Sequence, residues 1–294
     1  MNNSNMQIFG EVLFDHFPDG SVVLGGAPFN VAWHLQAFKQ NPCFISRIGV
    51  DDAGAAVQAG MESWRMDLSG LQNDAEHPTG AVQVKIEQGE PSYLIVPEQA
   101  YDFIDAEQLP AHAETGLLYH GSLALRHSVS RQALARLKQN HRGTVFMDVN
   151  LREPWWDKAE VLAWVDEADW VKLNHLELRA LQAGSDDFDV AMQAFLAEHR
   201  LQGLVVTRGE KGAIAINADG QRAAAAPVKA LQVVDTVGAG DAFASVLMLG
   251  IHLDWPLQLT LERAQAFASG IVGRRGATVR EAGFYRRFVE EWVL

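Results

Sequence analysis

From residue 116 onward the chain alternates short apolar runs with stretches of helical spacing, and this alternation constrains the fold more than any other feature. The segments GLLYHGS at 116–122, TVFMDVN at 144–150, DWVKLN at 169–174 and LVVT at 204–207 each read as a buried strand. Between the first two, residues 130–140 place Ala133, Leu134 and Leu137 on one face, as a helix would, and a further helix opens at 177–182. Strands alternating with helices argue for βαβ units and a mostly parallel sheet. Ligands of such sheets bind just beyond the C-terminal strand ends. That singles out Asp148, Asn150, Asn174, Thr207 and Arg208.

The N-terminal third reads differently. A short strand at 22–24 precedes a Gly-Gly pair, and 81–86 and 92–96 read as two strands joined by Gln88-Gly89-Glu90-Pro91. A hairpin interrupting a βα alternation predicts a small sheet projecting from the main domain. No compositional shift marks a linker in the 294 residues, so one main domain spanning 1–294 is expected, with the projecting sheet drawn from about 11–24 and 78–104.

Charge and cysteine content narrow the partners. The formal net charge is −13 and no Lys/Arg run occurs, which argues against nucleic acid and against an anionic membrane. An anionic small substrate would need local dipoles and a metal ion. Cys43 is the single cysteine, so no intrachain disulfide can form, as suits a reducing compartment. The polar N-terminus leads straight into a strand, and no stretch approaches the roughly 20 apolar residues of a membrane span. A cytoplasmic location is the expectation.

Two glycine-rich elements carry the chemistry. Asp235-Thr236-Val237-Gly238-Ala239-Gly240-Asp241 runs into the apolar, helix-like 242–250. This describes a helix N-terminus whose first N–H groups favour negative charge, with glycines that let an anion approach the backbone. Taken alone, the motif also reads as a glycine-containing turn with a capping Asp. The second element, Gly25-Gly26-Ala27-Pro28-Phe29-Asn30, again opens a helix, with Asp15 just upstream. A carboxylate, a bare backbone and an amide suit a polyhydroxyl ligand, whose hydroxyls both donate and accept.

GGAPFNVA and DTVGAGDAF together closely resemble the two signatures of the ribokinase-like (PfkB-type) carbohydrate kinases. Asn174-His175-Leu176-Glu177 is similar to that family's N-x-x-E, and residues 206–212 (VTRGEKG) to its V-T-x-G-x-x-G nucleotide motif. Asp148-Val149-Asn150-Leu151-Arg152, followed by Trp155 and Trp156, resembles the D-x-N-x-R…W stretch of fructokinase-like members. The resemblance runs from Gly10 to about Ala277. It implies a three-layer αβα sandwich with a mostly parallel central sheet and a small projecting β-sheet lid, working as an ATP-dependent sugar kinase.

Carried over by position, the resemblance makes Asp241 the base and the N–H groups of 237–240, hence Gly238, Ala239 and Gly240, the anion hole for the moving phosphoryl group. Asp15, Gly25, Gly26, Asn30 and Asp235 would hold the sugar, with Asn150 and Arg152 on the substrate side. Glu177, with Asn174, would organise Mg2+ and its waters, and a monovalent cation has a place in the same scheme. Thr207, Gly209 and Gly212 would line the nucleotide site, where Ser269 replaces the family's usual Asn. The acceptor leans to fructose or a related hexose, ahead of a nucleoside, pentose or sugar acid, and a homodimer through the lid sheet is expected. A nicotinamide-dependent dehydrogenase fits poorly, since Phe243 occupies the third glycine position of the dinucleotide fingerprint.

Overall fold

The structure is a computed structural model and describes residues 5–87, 90–111, 115–182, 185, 187–227, 236–274 and 276–294. The chain forms two compact units, one of 1–114, 124–141 and 276–294 and the other of 115–123 and 142–275.

In the first unit, β1 (Met6–Phe9), β4 (Cys43–Gly49) and β5 (Leu71–Asp74) run parallel, with Ile8 opposite Phe44 and Arg47 opposite Gln72. Burial of almost every residue of β1 and β4 explains their near-continuous apolar character. A separate four-stranded sheet has the order β3 (Val22–Gly25), β2 (Leu13–His16), β6 (Gly80–Glu87), β7 (Glu90–Ile95). Its outer pairs are antiparallel and its central pair, β2 with β6, is parallel. The expected hairpin is therefore the β6–β7 pair, while its turn residues Gln88 and Gly89 lie outside the described residues.

Helices α1 (Ala27–Ala37), α2 (Asp52–Ser63), α3 (Ser128–Gln139) and, from the C-terminus, α9 (Ala282–Trp292) complete this unit. Its aromatic core joins distant segments. Trp33 of α1 stacks on Trp64 with 4.7 Å between ring centroids, and its Nε1 donates to the Val279 carbonyl at 3.0 Å. Phe38 meets Tyr285 and Trp292 of α9 at 5.8 and 5.5 Å.

In the second unit, β8 (Leu117–His120), β9 (Thr144–Asp148), β10 (Trp170–Asn174) and β11 (Gly203–Thr207) are parallel neighbours. Antiparallel β12 (Ala213–Asn217) and β13 (Arg222–Ala225) extend the ladder. The strands expected from the alternation of apolar runs recur here within about a residue or two at each end. Helices α4 (Lys158–Asp166), α5 (His175–Leu181) and α6 (Phe188–Glu198) accompany them. Val161, Val165 and Phe195 close a core with Met147, Val171, Leu173 and Val206. Helix α7 (Ala239–His252) packs on α8 (Leu257–Val272), which covers β12 and β13. The result is the α/β architecture expected, a mostly parallel sheet with helices and a small separate sheet. Among the described residues no helix is long and apolar enough to cross a membrane.

Candidate functional site

In the second unit the candidate residues gather at strand ends and at the start of α7. Gly238 is the N-cap of α7 and adopts a left-handed conformation, φ 77° and ψ −4°. A side chain other than glycine is strained there, which is why the chain can turn sharply into the helix at this point. The first N–H groups of a helix have no intrahelical acceptor and carry its positive dipole end. Asp241 occupies that first turn and is partly exposed.

Beside this turn lies a buried ion pair. Asp148 ends β9 and stands directly opposite Lys172 of β10 in the parallel register. Lys172 Nζ donates to Asp148 Oδ1 at 2.7 Å, with side-chain exposures of 9% and 5%, and Tyr119 Oη lies 3.4 Å from Asp148 Oδ2. The ammonium is 3.6 Å from the point where a Cβ on Gly240 would stand. Burial raises the Asp148 carboxyl above its ordinary range, against the pull of Lys172 and Tyr119. Burial also opposes the Lys172 charge, yet the lysine ends above its usual value because the charges of Asp148, Asp241 and Glu177 surround it.

Glu177 is held rigidly. Its Oε2 accepts from Asn174 N at 2.8 Å and its Oε1 from Leu151 N at 3.2 Å, while Asn174 Oδ1 accepts from Leu176 N and Glu177 N. This reciprocal capping box starts α5 and commits the Asn174 side-chain oxygen to the helix. Asn174 thereby positions Glu177. Burial raises the Glu177 carboxyl, and the two backbone hydrogen bonds and Lys172 oppose that rise.

The remaining candidates of this unit are arranged around these groups. Thr207 is the cross-strand neighbour of Asn174 at the end of β11. The Asn150 backbone is clamped by Ser122 Oγ, which donates to its carbonyl at 2.8 Å and accepts from its N–H at 3.2 Å. Arg152 is exposed. Gly209 opens a short 3-10 turn between β11 and β12, and Gly212 closes it. A Cβ on Gly212 would collide with the Ala225 carbonyl oxygen, so packing against β13 accounts for that glycine. Ser269 is buried in α8, where its hydroxyl lies 3.4 Å from Gln265 Nε2.

In the first unit, Gly25, Asn30 and Asp15 come together. A Cβ on Gly25 would stand 3.5 Å from Asp15 Oδ2 and 4.0 Å from both polar atoms of the Asn30 amide. Gly26 has φ 107°, and a Cβ there would approach the Glu11 carbonyl oxygen to 2.6 Å, so no other residue fits. Asn30 is buried in the first turn of α1, which starts at Ala27, three residues ahead of it. Asp235 lies outside the described residues.

Lys172 escaped the sequence reading. Its signal is a lysine inside the otherwise apolar WVKL of a strand buried on both faces, a position that demands a counter-ion.

The chain as a whole has relatives among known proteins. The family model described as "pfkB family carbohydrate kinase" matches residues 6–281. The chain belongs to that family. The enzyme is therefore a carbohydrate kinase. It is 30% identical over 295 residues to the fructokinase of Salmonella typhimurium, covering 94% of this chain and 95% of that one. The solved fructokinase of Vibrio cholerae O395, in a fructose-, ADP- and calcium-bound form, superposes with a TM-score of 0.82 at 29% identity, covering 96% of this chain and 97% of that one. A double mutant of the Vibrio enzyme with fructose, ADP and potassium gives a TM-score of 0.82 at 27% identity, with 97% and 99% coverage. The kinase thus has the ribokinase-like architecture that its two glycine-rich signatures imply.

Proposed function

We propose that the enzyme transfers the γ-phosphoryl group of ATP to a hydroxyl of fructose or a closely related hexose, with Asp241 as the base. The observation that carries this reading is the position of Asp241 in the first turn of α7, behind left-handed Gly238. As the sugar oxygen bonds to phosphorus, its proton passes to Asp241 and the bond to the ADP oxygen breaks. The transition state spreads charge over the equatorial phosphoryl oxygens, so orientation and preorganised dipoles supply most of the acceleration. The N–H groups at 237–240 supply those dipoles, and the α7 dipole reinforces them. Asp15, Gly25, Gly26, Asn30 and Asp235 hold the sugar, with Asn150 and Arg152 on the substrate side. Thr207, Gly209, Gly212 and Ser269 serve the nucleotide.

A magnesium ion fits the residues present in one way. Among the described residues no group of three or more His, Cys, Asp or Glu is placed to hold a metal. Glu177 keeps one further lone pair on each oxygen beyond its backbone hydrogen bonds, which suits a carboxylate that holds the waters of an ion bound mainly to phosphates. Such an ion would neutralise phosphate charge. A monovalent cation is included in the reading on the strength of the potassium-bound relative. We assign the whole chain to one kinase domain working in the cytoplasm, with the sheet β3-β2-β6-β7 as a lid that excludes water from the sugar and pairs two subunits.

A coupled ADP-release assay with ATP and magnesium across hexoses, pentoses, sugar acids and nucleosides tests the reading. Fructose should rank first. Asp241→Asn should lower kcat by about 10²- to 10⁴-fold with the binding of sugar and ATP retained. Undiminished turnover in Asp241→Asn would sink the base assignment, and a nucleoside ranking first would overturn the hexose.

A further inference from the structure

The buried lysine of β10 has no part in the chemistry described so far. Lys172 is 7% exposed and its ammonium is committed to Asp148. A pair in a parallel sheet core costs desolvation energy on both sides, and apolar residues of similar volume would hold the strands together as well. Its location is informative. The ammonium lies 3.6 Å from the Cβ position of Gly240, the residue before Asp241. The charged groups acting on it come from three elements: Asp148 at the end of β9, Glu177 in the first turn of α5 and Asp241 in the first turn of α7. Tyr119 of β8 approaches Asp148 from the other side. Asp148 fixes the ammonium in place, and the missing side chain at Gly240 leaves the space between it and the α7 turn open.

We infer that Lys172, locked by Asp148, is a positioning residue for the reaction: its ammonium holds Asp241 as the carboxylate that accepts the hydroxyl proton. This rests on the assignment of Asp241 as base. Removing a cation near a carboxylate favours the protonated acid, and an acid cannot accept the proton. The loss therefore grows as pH falls and fades as pH rises. A purely structural role for the pair would instead lower activity by the same factor at every pH.

The test uses the full-length enzyme with D-fructose, ATP and magnesium. Because Lys172→Met alone leaves Asp148 buried and unpaired, the informative variant combines Lys172→Met with Asp148→Asn, which removes both charges. The ammonium is the nearer of the two charges to the α7 turn, so its loss outweighs that of the Asp148 anion. The acid limb in kcat should therefore move up by about half a pH unit, giving roughly threefold lower kcat on the acid side. KM for both substrates should stay within about threefold, and Lys172→Arg should restore the wild-type profile. A folded pair variant with the wild-type acid limb, or one whose loss is independent of pH, overturns the inference. Asp241→Asn run alongside separates the two levels. If it is inactive while the pair variant is normal, only the role of Lys172 falls; if it is active, the base assignment falls first.

Discussion

His34 makes the stability of the first unit sensitive to acid. It lies fully buried in α1, its Nδ1 2.9 Å from the hydroxyl of Tyr285 on α9. Burial is the dominant influence and pushes the imidazole down to about 3, with a backbone hydrogen bond involving Ala277 acting the other way. In the unfolded chain the same ring titrates near 6.5. Between those values the unfolded state binds the proton and the folded state does not, so stability is retained above about 6.5 and lost as pH falls. From pH 7 to pH 5 the loss from this group alone is about 2 kcal/mol, the linkage integral between the two values. His34→Gln keeps a polar group of similar length and cannot titrate. Chemical denaturation at pH 7 and pH 5 should show the wild type losing about 2 kcal/mol more than the variant between the two pH values. Equal losses in both proteins would refute the reasoning, as would an NMR titration in which the His34 ring protonates above pH 6 in the folded enzyme.

Four further outcomes follow from the geometry. Gly238→Ala forces a left-handed φ on a residue with a Cβ and should cost about 1 kcal/mol, lowering Tm by about 2–4 °C. Gly240→Ala meets nothing closer than Lys172 Nζ at 3.6 Å and gains helix propensity, so thermal denaturation should show no loss of Tm. Gly26→Ala combines φ 107° with a 2.6 Å approach to the Glu11 carbonyl, and its soluble yield and Tm should both fall sharply. Arg126 makes two 2.7 Å bonds to buried Asp102 and a third to the Val96 carbonyl just after β7, so Arg126→Ala should cost about 3–5 kcal/mol in denaturant titrations.

The amino-acid sequence by itself determined the class of fold and the family to which the motifs belong. Both are written in short-range patterns: apolar runs of strand length, helical spacing, and glycines just ahead of helices. The turn into α7 at Gly238 and the capping of α5 by Asn174 and Glu177 involve residues at most a few positions apart, so local sequence suffices to place them. Tertiary structure alone decided the parallel pairing of β2 with β6, the approach of Asp15 and Asn30 to Gly25, and the burial of His34 against Tyr285, which is 251 residues away. The clearest case is Lys172. Its partner Asp148 is 24 residues distant and was legible as a strand-end residue and as the head of the D-x-N-x-R stretch, not as the counter-ion of Lys172. Strand register sets those two side chains face to face, and register depends on how β9 and β10 bury their apolar faces together, a condition that no window of sequence contains.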